Sequence, residues 1–548
     1  MKNTLLFMVF FYLFTIGAQE KITPLEWQKD LRFLQQTVHD DYPFLFKKTR
    51  ATEFDAAIDK FYAALPQMQD HEIVVGFAKI IALFKYGHTR MSFSETGIPY
   101  HRLPLEVYLF PDGLYITGAH NDYASLVGSK ITAIEGKSTE EVLEAIYPVA
   151  PVENEQFFKA YGLGYVLIPE VLHAQGVTTS LKQGIDLSLE KGGEAMNTMV
   201  TASKGGEELP LQYGEVKPGS DWVSVRDVSN SPLYLKDLDK IYYFEYLPDQ
   251  KAVYVRHSQI QDEPSERIPA FYERLFEFIE NKEVEKLILD VRLNGGGNNY
   301  KNKPIVTGII EHPEINRPGK LFVIIGRRTF SACQNLVNEL DNYTEAIFVG
   351  EPTGENINFY GDNRRVVLPN SKLPVYLSFA WWQDKPQWEN ADYTSPHLPV
   401  VPTFAEYSGN KDPALDAILN LKGEVFIRDP MGYLTQLFME EKFDLLATEA
   451  QRMVNDPMYR FFNFETEFGK VGYRLLGNDN EAALYVFQLT AQLFPESANA
   501  WLGLGQAYQE IGNIDKAKES FQKTVELDPE GPLASSAIAL LQRLTEED

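Results

Sequence analysis

The sequence predicts a multidomain α/β protein, with a helical N-terminal region, a β-rich region, an α/β region and a helical tail. Its 548 residues are too many for one hydrophobic core and fit three or four domains. Two apolar runs mark the α/β region. Leu287-Ile-Leu-Asp-Val-Arg-Leu-Asn-Gly-Gly-Gly297 reads as a buried strand ending in a glycine loop. Phe322-Val-Ile-Ile325 reads as a second strand, turning through Gly326-Arg-Arg-Thr-Phe330 into a helix that begins near Ser331. A repeat marks the tail: Ala483, Phe487 and Pro495 recur 34 positions later as Ala517, Phe521 and Pro529.

In chain order, residues 1–18 read as a signal peptide. Lys2 precedes an apolar run from Leu5 to Ile16, and Gly17-Ala18 stands before Gln19. That run is too short to span a bilayer, so the expectation is export to the periplasm or beyond, with no integral membrane segment in the mature chain. Over residues 19–95 the spacing is helical: Trp27, Leu31, Leu34 and Val38 share a face, as do Phe54, Ile58 and Phe61. This region ends at Phe84-Lys-Tyr-Gly-His-Thr-Arg90. Residues 96–219 alternate as strands do, at Leu105, Val107 and Leu109 and again at Leu114 and Ile116, around turns at Pro111-Asp-Gly113 and Glu135-Gly-Lys137. Residues 220–425 supply the α/β region. Strands are expected at Ala252–Arg256, Leu287–Val291 and Ala346–Val349, and helices at Ala270–Asn281 and Ala332–Leu340. Residues 430–548 carry the repeat. With Trp501-Leu-Gly-Leu-Gly-Gln-Ala-Tyr508 it matches the tetratricopeptide pattern of paired antiparallel helices, which either binds a protein partner or docks on the rest of the chain.

A formal net charge of −26 argues against nucleic acid and anionic membrane surfaces as partners. The single cysteine, Cys333, excludes an intrachain disulfide and a cysteine-based metal cluster. The nine histidines lack metal-ligand spacing, so neither a metal nor a cofactor is expected. No phosphate-binding loop, His-Glu-x-x-His or Gly-x-Ser-x-Gly elbow is present.

The chemistry suggested is acyl transfer. A serine at a strand-to-helix turn exposes its hydroxyl beside the unpaired N–H groups of the helix start. Three glycines bring more backbone N–H groups within reach of a ligand, because no Cβ intervenes. Ser331 is therefore the candidate nucleophile, and Gly296 (or its neighbours Gly295 and Gly297) with the Ala332 N–H is the candidate oxyanion hole. Cys333 falls two residues into the helix and reads as core filling. Arg327 and Arg328 are candidates for binding a substrate carboxylate.

Leu289-Asp-Val-Arg-Leu-Asn-Gly-Gly-Gly297 followed by Thr329-Phe-Ser-Ala332 resembles the S41 family of serine peptidases, which includes the tail-specific proteases and the tricorn core. The resemblance continues through Val349-Gly-Glu-Pro-Thr-Gly354 and Asp412-Pro-Ala-Leu-Asp416, and spans roughly residues 22–421. It implies a crotonase-like (ClpP-like) fold for the catalytic region. The segment Val127-Gly-Ser-Lys-Ile-Thr-Ala-Ile-Glu-Gly-Lys137 is similar to PDZ-type domains, which capture a peptide C-terminus by strand addition. The tail-specific branch of the family places a catalytic lysine 25 residues past the serine; here that position is Asn356. The tricorn-like branch takes a histidine from an Asp-Gly-His-Thr-like motif. Tyr86-Gly-His-Thr89 matches with tyrosine for the acid, and Gly87 stands where that branch has a serine. The resemblance thus implies His88 as general base. It implies Glu389 as the group that orients His88, with Asp392 and Glu351 as competitors.

The reading is an exported serine endopeptidase that cleaves unfolded or C-terminally presented polypeptides through an acyl-enzyme. The alternatives are a catalytically silent peptide-binding scaffold of the same fold, fed by Asn356 in place of the lysine, by Tyr86 before Gly87 and by the irregular segment that follows Glu389, and an esterase using the same site.

Overall fold

The computed structural model describes residues 22–97, 99–205, 209–217, 219, 221–421 and 427–546. The expected signal peptide lies outside the described residues. Helices α1 (Pro24–Asp41), α2 (Ala51–Ala64) and α3 (Asp70–Ala82) form the N-terminal region. Helix α1 starts at a capping box, in which Thr23 accepts the Glu26 N–H and Glu26 bonds back to Thr23. Its apolar stripe of Trp27, Leu31, Leu34 and Val38 is buried, as the spacing requires.

After the two-residue strand β1 (Arg90–Met91) comes an antiparallel sheet. Its strands are β2 (Leu105–Phe110), β3 (Gly113–His120), β4 (Lys130–Ile134), β5 (Gly184–Lys191), β6 (Glu194–Thr201) and β7 (Trp222–Ser224). The main path runs β7-β3-β4-β5-β6, with β2 paired to β3 and helix α4 (Thr139–Ile146) crossing from β4. One continuous hydrophobic core joins α1–α3 to this sheet, so residues 22–95 and 96–205 are not separately packed units. The same core takes in Leu368, Leu373, Val375 and Leu377 from far along the chain.

The α/β region is a six-stranded sheet: β8 (Tyr242–Leu247), β9 (Ala252–His257), β10 (Lys286–Asp290), β11 (Leu321–Ile325), β12 (Ile347–Gly350) and β15 (Leu398–Pro399), side by side in that order. The first pair is antiparallel and the rest are parallel. Alternation sorts the strand residues onto two faces. Val253, Val255, Leu287, Leu289, Val323 and Ile325 meet helices α5 (Ile268–Glu280), α6 (Lys303–Glu311) and α7 (Ala332–Tyr343). Tyr254, Ile288, Phe322 and Ile324 meet α8 (Pro413–Asn420) on the other face. Arg292 ties the sheet to α8: it bonds Asp290 (2.7 Å) and grips Asp412, the N-cap of α8, through two hydrogen bonds of 2.8 and 3.0 Å. This pairing explains why the Leu289-Asp-Val-Arg292 and Asp412-Pro-Ala-Leu-Asp416 motifs occur together.

Between β12 and β15 a long hairpin, β13 (Phe359–Val367) and β14 (Pro374–Trp382), reaches back to the N-terminal half. There β14 pairs with β1, and buried Asp30 of α1 accepts the N–H groups of Asn370 (2.8 Å) and Ser371 (2.7 Å) at the hairpin turn. The tail is helical throughout: α9 (Pro430–Met439), α10 (Phe443–Asn455), α11 (Phe464–Leu475), α12 (Asn480–Leu493), α13 (Ala498–Glu510), α14 (Ile514–Leu527) and α15 (Pro532–Glu546). Helices α12–α15 pack around Phe487, Ala517 and Phe521, residues that carry the repeat, and α9–α11 pack with α12 in a second core around Leu437, Ala450 and Phe468.

Candidate active site

Ser331 stands between β11 and α7, as the N-cap of α7, with φ 56° and ψ −129°. A non-glycine residue in that region carries about 1–3 kcal/mol of backbone strain, which surrounding contacts must hold. Its side chain does not cap the helix. Instead Oγ lies 2.9 Å from Nε2 of His88, a residue 243 positions away in sequence.

Hairpin β13–β14 holds His88 in place. Thr89 Oγ1 meets Ser378 Oγ at 2.7 Å and accepts the Ser378 N–H, and Asn363 Nδ2 donates to the His88 carbonyl (3.1 Å). The imidazole stacks on Phe330 (centroids 4.7 Å apart) and faces Phe359 at 6.0 Å. Burial pushes its pKa below the ordinary 6.5, which keeps the ring neutral and able to accept a proton. Gly87 admits no side chain: a Cβ there would lie 2.3 Å from the Phe157 ring and 2.9 Å from Phe330. This packing explains glycine at the position before the histidine.

The groups behind His88 differ from the sequence expectation. Glu389 is not brought to the histidine. Its side chain is 43% exposed and pairs with Lys47, because it lies at the end of a surface turn, Pro386–Trp388. The competitors also fall elsewhere. Glu351 is bound by Arg327 (2.6 Å), and Asp392 lends its carbonyl oxygen to Asn154. The acid beside His88 is Glu355, fully buried, with Oε2 3.7 Å from Nδ1. The Ser331 N–H donates to that same oxygen at 2.8 Å.

A second buried acid, Glu153, lies beside Glu355, with a carboxylate oxygen of each within 4.8 Å of the other. Burial first, and then the neighbouring Glu153 carboxyl, push the pKa of Glu355 well above its ordinary range. Glu153 accepts the N–H groups of Gly87 (2.6 Å) and Asn356 (3.1 Å) and the Asn356 side-chain amide. Asn356, at the position of the tail-specific lysine, therefore holds an acid in place. The ligand atoms of His88, Glu153 and Glu355 lie within 4.8 Å of one another, near enough to hold a cation in principle. Glu153 and Glu355 Oε2 already accept hydrogen bonds there, whereas His88 Nδ1 and Glu355 Oε1 have none. Sequence reasoning missed both acids. Glu355 is the residue after the quoted Val349–Gly354 motif and next to Asn356, a signal that was within reach. Glu153 sits in an aperiodic connector with none.

Gly296 is pressed against the nucleophile: a Cβ there would lie 2.5 Å from Ser331 Cβ and 2.9 Å from the Ala332 nitrogen. Its φ of 101° also suits glycine. Its N–H, however, donates to Asn294 Oδ1 (2.9 Å) in an Asx turn, so this expected oxyanion donor is already engaged. The N–H groups of Gly295, Gly297 and Ala332 make no hydrogen bond among the described residues, and Ala332 opens α7, where no intrahelical acceptor exists. Arg327 is taken up by Glu351, the Leu109 carbonyl (2.9 Å) and the Tyr108 ring. Cys333 is buried, its thiol pushed up by burial.

The tetratricopeptide-repeat family matches residues 498–530. No match was found among curated proteins. Among solved structures, mature CPAF complexed with lactacystin is 14% identical, with a TM-score of 0.52 over 74% of this chain and 99% of that one. Uncomplexed mature CPAF is also 14% identical, with a TM-score of 0.50 over 73% and 99%. The photosystem II D1 C-terminal processing protease is 14% identical over 74% and 98%, with a TM-score of 0.35. The likeness to CPAF establishes a shared fold. Among the described residues no helix is long and apolar enough to cross a membrane.

Proposed function

We propose that this chain, which shares its fold with CPAF, is an exported S41-like serine endopeptidase acting on unfolded or C-terminally presented polypeptides. The observation that carries the reading is the 2.9 Å approach of His88 Nε2 to Ser331 Oγ, on a serine whose backbone is strained to present it. Ser331 Oγ attacks the carbonyl carbon of the scissile bond while its proton passes to His88 Nε2. The oxyanion that forms is met by the Ala332 N–H and by a glycine-loop N–H from Gly295 or Gly297, in place of Gly296. His88 then protonates the leaving amine, and the acyl-enzyme on Ser331 is hydrolysed by water with His88 as base. The imidazolium formed in each half-reaction lies beside the Glu355–Glu153 pair. The Glu153 carboxyl nearby favours the charged imidazole.

The remaining regions fit the same reading. β6 is the outer, solvent-facing strand of the antiparallel sheet, an edge to which a peptide strand can add in PDZ fashion. The tail repeat offers a surface for a protein partner.

The test is hydrolysis of an unstructured protein such as casein by the chain from Gln19, with Ser331→Ala and His88→Ala beside it. Turnover lost in both variants is the expected result. The silent-scaffold reading is favoured by one observation, the His88 Nδ1 atom, buried and without a hydrogen bond. It prevails if the wild-type chain binds such substrates and cleaves none.

A further inference from the structure

The cleft lined by His88, the glycine loop and Phe330, next to Ser331 in sequence, has a volume of about 700 Å³ and is walled by aromatic rings, among them Phe93, Phe157, Tyr161 and Phe330. No carboxylate lines it among the described residues, in a chain with 77 acidic residues against 51 basic ones. Three arginines do: Arg90, Arg102 and Arg328. Arg102 is neutralised by Glu106 at 2.7 Å. The other two make no ion pair among the described residues. The Arg90 guanidinium lies over the Tyr376 ring at 4.7 Å, and Arg328 lies over Tyr161 at 5.2 Å.

Arg328 is held rigidly. Its Nη2 donates to the Ala160 carbonyl (3.1 Å). Its Cζ lies where it would come 1.9 Å from a Cβ on Gly214, so that turn can pack on the guanidinium only as glycine, at φ 80°. Tyr161 Oη donates to the Arg328 carbonyl (3.3 Å) and faces Gly295 of the glycine loop. A guanidinium fixed on an aromatic face, with unspent N–H donors and no carboxylate of its own, is built to receive one.

We propose that this cleft selects polypeptide segments bearing acidic side chains, with Arg328 and Arg90 as the residues that determine the preference. Arg90 follows His88 and Arg328 precedes Ser331, so the two unpaired charges flank the reacting pair on separate segments. A chain threaded between them meets a positive charge from each, whereas one terminal carboxylate answers only one. The inference rests on the cleft taking polypeptide, the reading proposed above.

Binding is measured on the full mature chain carrying Ser331→Ala, so that the result does not depend on turnover. The probes are fluorescent peptides, amidated at the C-terminus and matched except for Asp and Glu against Asn and Gln. The acidic member should bind about tenfold tighter or more, as a charge-assisted hydrogen bond allows, with the advantage shrinking as salt rises. Adding Arg328→Gln should remove most of the advantage, Arg328→Lys should restore part of it, and Arg90→Gln should remove the rest, with thermal unfolding unchanged in each. Equal binding of both peptides, no binding of either, or a preference that survives the double Arg90→Gln, Arg328→Gln change overturns the proposal. So does a preference seen only when the C-terminus is left free. If wild type cleaves nothing while the acidic preference holds, the peptidase reading falls and the selectivity stands.

Discussion

In the tail repeat, three successive helix starts follow one pattern. Asp479 accepts the Ala482 N–H, Ser497 accepts that of Ala500 and Asn513 that of Lys516, so each N-cap side chain satisfies its own helix. Helix α7 also begins at a polar N-cap, Ser331, yet that hydroxyl satisfies nothing in its helix and is turned instead to His88. The Ser331 N–H is spent on Glu355, and the backbone is held at positive φ. The same residue type at the same structural position is thus a stabilising cap at 497 and a strained, presented group at 331. The contrast separates a serine that serves its own helix from one that is strained toward a distant side chain.

The sharpest break of that comparison is Ser331→Ala. It should abolish turnover, by at least ~10³-fold, with little change in thermal unfolding because no cap is lost. Ser331→Gly should be equally inactive yet unfold at higher temperature, since relief of positive φ returns up to ~1–3 kcal/mol. Gly296→Ala should come next, with ~10²-fold or greater loss of kcat/KM, because the added Cβ displaces Ser331 and Ala332 from the oxyanion position.

The acid pair gives the next prediction. Glu355→Gln, which mimics the protonated carboxyl, should cost about tenfold in kcat, less than Glu355→Ala. The same change should alter stability with a definite sign. A carboxyl whose folded pKa is raised contributes stability that is fully present below its unfolded value of 4.5 and fades as pH rises through the folded value. Glu355→Gln should therefore weaken that fade, seen as a flatter unfolding temperature against pH on the alkaline side. Last, Ser497→Ala should cost about 1 kcal/mol of tail stability and leave peptidase activity intact. Glu389→Gln should leave both within experimental scatter, since its ion pair with Lys47 is exposed.

What could be read from the sequence follows the same division. The strands at 287, 322 and 347, helix α7 and the tail repeat announce themselves through local periodicity, and the structure has the three strands within one residue of expectation and α7 three residues longer at its end. Ser331 and the glycine loop were visible because each sits at a junction whose backbone geometry is set by its immediate neighbours. His88 was visible only through a resemblance. Helix α6 and the hairpin β13–β14 were not anticipated, although the hairpin positions His88 by pairing with β1. Glu153 could not have been found: it lies in a connector without pattern, and its role depends on contacts with Gly87 and Asn356, 66 and 203 positions away. Glu389 was expected from the family resemblance, and a surface turn carries it away from the site. Contacts set by long-range closure leave no local trace.

The most direct test of the Ser331–His88 arrangement is the pH dependence of acylation by a fluorophosphonate, with the labelled residue located by peptide mass. The account predicts a single adduct on Ser331, formed at a rate that falls only as pH drops below 6.5, where the buried imidazole finally takes a proton. The rate should collapse in His88→Ala. Labelling on another residue, or a rate on Ser331 indifferent to both pH and His88, would contradict it.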